Sequence, residues 1–169
     1  MPKKPNIILI LTDHFRPDAV GASMPHLQRL AEEGVQFSKA LVSHLDLYPT
    51  LLELAVVQSE ANHSFWGRSL VPLLRGQTGT HHPRIFAELA TAVMVRDAGW
   101  KLVYDPEQGG VTHLFNLVVD PLELDNLAGK AGYDGQAGRL IEGMLCQRIR
   151  MTQYVHAKEE NRLQRVRVP

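Results

Sequence analysis

Near Pro83 the hydrophobic pattern of this chain changes period, and the change limits what each side can fold into. Beyond it lie the short runs Arg84 to Glu88, Ala92 to Arg96, Lys101 to Tyr104 and Thr112 to Asn116. They are separated by turn residues such as Gly99 and Asp105-Pro-Glu-Gln-Gly-Gly110. Short strands joined by turns predict a small antiparallel meander between Arg84 and Asn116. Gly135 to Arg162 then predicts one long or broken helix, with the basic end Arg162 to Arg167 as a solvated tail.

The first half follows other rules. Ile7-Ile-Leu-Ile-Leu11 is an unbroken aliphatic run, which suits a strand buried on both faces in a parallel sheet covered by helices. It ends at Thr12-Asp13-His14, so polar side chains are expected at the carboxyl end of a strand, where open α/β sheets bind ligands. Taken alone, Asp13 reads as a turn-forming acid. Met24 to Glu33 predicts a helix, with Pro25 in its first turn and Gly34 just past its end, and Val35-Gln-Phe37 opens a second strand. Asp46 is a good N-cap for a helix over Asp46 to Ala55. Pro49 falls in its first turn, and Leu47, Leu51, Leu54 and Ala55 form its apolar face.

Composition removes several functional classes. Apolar residues at 44% and charged residues at 21% are those of a folded globular chain, and 169 residues can bury a real core. Eighteen basic residues balance eighteen acidic ones, so no net charge draws the chain to nucleic acid or an anionic membrane. Cys146 is the sole cysteine, which excludes an internal disulfide and any multi-cysteine metal site. Ile7 to Leu11 is too short for a signal h-region or a membrane span, so a cytoplasmic location is the default expectation.

Pro5-Asn-Ile-Ile-Leu-Ile-Leu-Thr-Asp-His14, Arg16-Pro-Asp-Ala-Val-Gly21 and Met24 to Phe37 resemble the N-terminus of type I sulfatases and related alkaline-phosphatase-superfamily hydrolases. Val42-Ser-His-Leu-Asp-Leu-Tyr-Pro-Thr-Leu-Leu-Glu-Leu-Ala55, Gly67 to Gly76, Leu114-Phe-Asn-Leu117 and Asp120 to Ala128 resemble the end of the same family. The resemblance implies a truncated alkaline-phosphatase-like α/β fold, with a small C-terminal antiparallel sheet and a C-terminal helix. It divides the chain into a reduced core over 1–78, with a junction near 40–43, and a C-terminal subdomain over 79–169. It also implies a divalent cation, usually calcium, with Asp13 as metal ligand, and a sulfate ester as substrate. His14 stands where many relatives carry a second acid. Relatives usually follow the closing helix with Leu-Ala-Gly. Here Leu54-Ala-Val-Val57 predicts a helix that runs on.

The middle of the family is absent. Sulfatases convert the Cys or Ser of a Cys/Ser-x-Pro/Ala-x-Arg motif to formylglycine, whose hydrate supplies the nucleophile beside the metal. At that point this chain runs Lys39-Ala-Leu-Val-Ser-His-Leu-Asp46, and no Asp-His-Gly or Asp-Asn-Gly run follows. No catalytic residue is therefore assigned. Cys146 reads as a small residue on a helix face. His81-His82 reads as a surface loop without a partner acid, His113 as a solvent-facing strand residue, and Asp46 beside His44 as a cap. Deleting most of a parallel sheet leaves strand edges unpaired, which is expected to invite self-association. Three readings stay open: a catalytically incomplete sulfatase remnant, a non-catalytic interaction or structural protein on that scaffold, and an artefact of a gene model or assembly.

Overall fold

The computed structural model describes residues 6–10, 24–35, 40–57, 66–77 and 79–166, with side chains through Gln153. Asp13 and its neighbours Thr12 and His14 lie outside the described residues, and so does most of Val35 to Phe37. The chain divides into two compact units, Met1–Pro83 and Arg84–Pro169.

In the first unit the strand expected at Ile7 to Leu11 does not form over its described part, Ile7 to Ile10, and Leu11 lies outside the described residues. Residues 6–10 form neither strand nor helix, and Ile7, Ile8, Leu9 and Ile10 are 42%, 85%, 51% and 72% exposed. The physical reason is a missing partner. A strand forms by hydrogen bonding to a neighbour, and among the described residues this unit holds no other strand. An aliphatic run suited to a doubly covered sheet stays uncovered without one.

Helix α1 (Pro25–Glu33) forms where the pattern places it, with proline in the first turn and the Gly34 N–H donating to the Leu30 carbonyl at 2.9 Å. No residue of α1 is buried. Helix α2 (Leu47–Leu54) follows a 3-10 turn at His44–Asp46, and Pro49 does fall in its first turn. It does not run on. Val57 N–H donates to the Leu52 carbonyl at 3.0 Å and Val56 N–H to Glu53 at 3.1 Å, with Val56 at φ +53°. This bond pair is a Schellman stop. Helix α3 (Val71–Leu74) ends the same way: Gln77 bonds Pro72 and Gly76 bonds Leu73, but here the left-handed position (φ +75°) holds glycine.

A β-branched residue in the left-handed region is strained by roughly 1–2 kcal/mol, whereas glycine is not. Val56→Gly should therefore stabilise the chain by about 1 kcal/mol, less than the full strain because glycine also loosens the unfolded chain. Thermal or urea unfolding of the purified variant checks the sign.

The second unit is the predicted meander. Strands β1 (Ile85–Leu89), β2 (Ala92–Arg96), β3 (Trp100–Asp105) and β4 (Gly110–Asn116) pair antiparallel in the order β1-β2-β3-β4. Representative pairs are Ala87 with Met94, Val95 with Leu102, and Leu102 with Leu114, and the register shifts at Val103/Tyr104. Helix α4 (Asp134–Val166) covers one face. Val95, Leu102 and Leu114 from the sheet meet Leu140 and Met144 from α4, and Leu127 closes the core. His113 is exposed as expected, and Cys146 is exposed on α4.

The segment after β4 is positioned by side-chain bonds. Asn126 Oδ1 accepts from Leu114 N–H at 3.0 Å, its Nδ2 donates to the Thr112 carbonyl at 2.9 Å, and Leu127 N–H donates to the Leu114 carbonyl at 2.8 Å. The outer edge of β4 is thus occupied by its own chain, one way in which sheets blunt an edge. Arg139 binds Asp97 at 2.6 Å, tying α4 to the β2–β3 turn. Among the described residues no helix is long and apolar enough to cross a membrane.

Candidate metal-binding cluster at Asp46, His81 and His82

The cluster begins with a local turn. Ser43 Oγ accepts from Leu45 N–H at 3.3 Å, and Asp46 Oδ2 reaches back to accept from Ser43 N–H at 2.8 Å. This reciprocal capping box folds Ser43–Asp46 into the turn that starts α2. Asp46 was expected to cap α2 with its own side chain, and it does not. Its carboxylate points elsewhere, because the 3-10 turn before α2 moves the cap back to Ser43.

The freed oxygen, Asp46 Oδ1, accepts from Arg68 N–H at 2.8 Å. One helical turn further on, Thr50 Oγ1 donates to the Asp46 carbonyl at 2.5 Å and accepts from Leu70 N–H at 2.8 Å. Asp46 and Thr50, four residues apart and therefore on one helix face, together hold residues 68–70 against the start of α2. The Arg68 guanidinium then donates to the His81 carbonyl at 2.7 Å, bringing the 81–82 segment onto the same point.

Both imidazoles converge on that carboxylate. His81 Nε2 lies 3.2 Å from Asp46 Oδ2 and His82 Nε2 lies 2.8 Å from Oδ1. The rings stand edge to face, with centroids 4.5 Å apart and an angle of 74°. Asp46 is 0% exposed, and the histidine side chains are 7% and 11% exposed. Burial alone would raise the Asp46 carboxyl pKa. The hydrogen bonds from Arg68, His82 and Ser43 outweigh it and hold the group below its ordinary value. The carboxylate therefore stays ionised with every oxygen satisfied.

This arrangement corrects the reading of His81-His82 as a surface loop without a partner acid. The acid stands 35 residues earlier in sequence for His81 and 36 for His82. His44 is exposed and takes no part, and Asp13 lies outside the described residues. The three groups are the set of His, Cys, Asp and Glu side chains that could hold a metal among the described residues, with ligand atoms all within 4.8 Å of one another. They do not suit calcium. That ion takes about six to eight oxygen ligands, and one carboxylate with two imidazole nitrogens cannot supply them.

No family model matches the chain. It is 42% identical over 95 residues to a choline-sulfatase of Rhizobium meliloti (strain 1021), a match covering 51% of this chain and 17% of that protein. It is 38% identical over 112 residues to an arylsulfatase K of Xenopus laevis, covering 57% and 20%. The chain thus spans a fifth or less of the length of these relatives. Its fold matches a phosphonate monoester hydrolase of Agrobacterium radiobacter with a TM-score of 0.53 at 25% identity, over 66% of this chain and 25% of that one. It matches a protein of Bacteroides thetaiotaomicron VPI-5482 described as a sulfatase with a TM-score of 0.52 at 28% identity, over 67% and 25%. The mixture of helices and antiparallel sheet agrees with both. Relatives and fold together show that this chain is similar to part of a full-length sulfatase-family protein, with an alkaline-phosphatase-like architecture.

Proposed function

We propose that this chain is a catalytically incomplete sulfatase-family protein, descended from sulfuric ester hydrolases and unable to hydrolyse sulfate esters itself. The observation that carries the reading is the passage from Lys39 through Ala40 straight into the Ser43–Asp46 capping turn. That turn already belongs to the closing scaffold, so no residues remain in which the formylglycine motif could stand. The loss is internal, with family-like sequence on both sides of it. The calcium and sulfate-ester chemistry of the family would need Asp13 together with several oxygen ligands, and the sequence supplies no second half-site for them. Under this reading the chain keeps a reduced core over 1–78 and a sheet-and-helix subdomain over 79–169 as scaffold.

Removal of one preorganised transition-state donor costs roughly a hundredfold or more. Loss of nucleophile and metal site together should leave turnover of an activated aryl sulfate at the uncatalysed rate. The chain is to be co-produced with a formylglycine-generating enzyme and assayed with calcium or magnesium beside an Asp13→Ala control. Activity well above that control would overturn the proposal. A second reading, a scaffold kept for association, is favoured by the uncovered aliphatic side chains Ile7 to Ile10. Sedimentation across a dilution series separates the two: reversible oligomers support association, and a monomer throughout removes it.

A further inference from the structure

We infer that Asp46, His81 and His82 form a binding site for one divalent transition-metal ion, with zinc preferred over calcium or magnesium. The inference is independent of whether the chain hydrolyses anything. Its starting point is a redundancy. A carboxylate that caps a turn and holds residue 68 has finished that task with the Ser43 and Arg68 N–H groups. Yet two consecutive histidines, both largely buried, also turn their Nε2 atoms onto it. Two imidazoles and one carboxylate oxygen pair drawn to a single point form a donor set that a metal ion can bridge as well as hydrogen bonds can.

Metal coordination fits the distances. Zinc takes imidazole nitrogen at about 2.0–2.1 Å and carboxylate oxygen at about 2.0–2.2 Å in tetrahedral geometry, which separates neighbouring ligand atoms by about 3.3 Å. Here the nitrogen–oxygen separations are 3.2 Å and 2.8 Å, and the whole donor set lies within 4.8 Å. Rotations of the two rings would open the space, and each ring would keep its proton on Nδ1 and offer the Nε2 lone pair. The supporting partners are already in place: backbone N–H groups fix both carboxylate oxygens, and the Arg68 guanidinium fixes the His81 carbonyl. Such outer hydrogen bonds orient ligands and raise affinity. Two imidazoles with one carboxylate select zinc and its transition-metal neighbours over hard cations, and leave a fourth position for water.

The test uses the tag-free full chain, stripped with chelator and titrated with zinc chloride by calorimetry, with cobalt as a spectroscopic probe and calcium as a control. The expected result is one zinc per chain, visible bands of four-coordinate cobalt, and no heat from calcium. The His81→Ala/His82→Ala variant should lose zinc binding. Removal of a ligand should weaken it by more than the roughly 10–100-fold that follows loss of a supporting partner. His82→Gln, which keeps a donor for the carboxylate, guards against a folding defect. It should melt like the parent without metal and lose most of the zinc-induced rise in Tm. Absence of micromolar zinc binding in the parent would overturn the inference, and so would equal zinc affinity or an undiminished Tm rise in these variants.

Discussion

Replacing Asp46 with alanine should unfold or severely weaken the first unit, at a cost of about 3 kcal/mol or more. The substitution removes the acceptor for two backbone N–H groups, Ser43 and Arg68, and for two largely buried imidazoles. A buried donor left unsatisfied costs roughly 1–3 kcal/mol, so even partial rescue by water leaves a large loss. Domains of this size are stable by only about 5–15 kcal/mol in total, and the change would therefore be visible in any unfolding experiment. Asp46→Asn refines the argument. It preserves volume but exchanges one oxygen for an NH2 group, which must then face either the Ser43 or the Arg68 N–H. It should destabilise less than alanine while still raising hydrogen exchange at one of those two amides. Protection at both amides equal to that of the parent, in either variant, would contradict the role assigned to this carboxylate.

The two halves of the chain differ in how legible they were from sequence, and the difference has a physical cause. The meander was readable because its strands pair with sequence neighbours, so the short runs Ala92 to Arg96 and Thr112 to Asn116 and the intervening turns contain the pairing. Helix α1 was readable from Pro25 and Gly34 for the same local reason. Ile7 to Ile10 misled because a parallel strand depends on partners far away in sequence, and an aliphatic run does not report whether they are present. The stop of α2 at Leu54 was hidden because Val56 occupies a position where the Schellman motif prefers glycine. The His81–His82 pair was misjudged because its acid is brought in by tertiary structure. One signal was available: Asp46 and Thr50 are polar residues one turn apart beside the apolar positions Leu47, Leu51 and Leu54, a spacing that asks for a polar partner. Nothing in sequence pointed from there to His81.

Gly67→Ala should be about as damaging as loss of Asp46, although glycine at this position has no unusual φ to protect. A Cβ built on Gly67 runs into the carbonyl of Leu45 and comes within 2.7 Å of Asp46 N. All of these are backbone atoms of the capping turn, so no side chain can rotate away to make room. Overpacking commonly costs 1–3 kcal/mol, and contact with fixed backbone places this substitution at about 3 kcal/mol. The relief available is separation of residues 67–68 from the turn, which also breaks the bond from Arg68 N–H to Asp46. Gly76→Ala is the informative comparison, since a Cβ there meets nothing within 4 Å and its φ of +75° alone is unfavourable. That variant should cost only about 1–2 kcal/mol, the strain of a single left-handed residue. Because Gly67 and Asp46 act on the same turn, their effects should not add: Gly67→Ala should cost clearly less in an Asp46→Asn background than in the parent. Chemical unfolding of the four proteins of that cycle gives the coupling directly. Full additivity would mean that the close approach of Gly67 and the hydrogen bonds of Asp46 stabilise the fold separately.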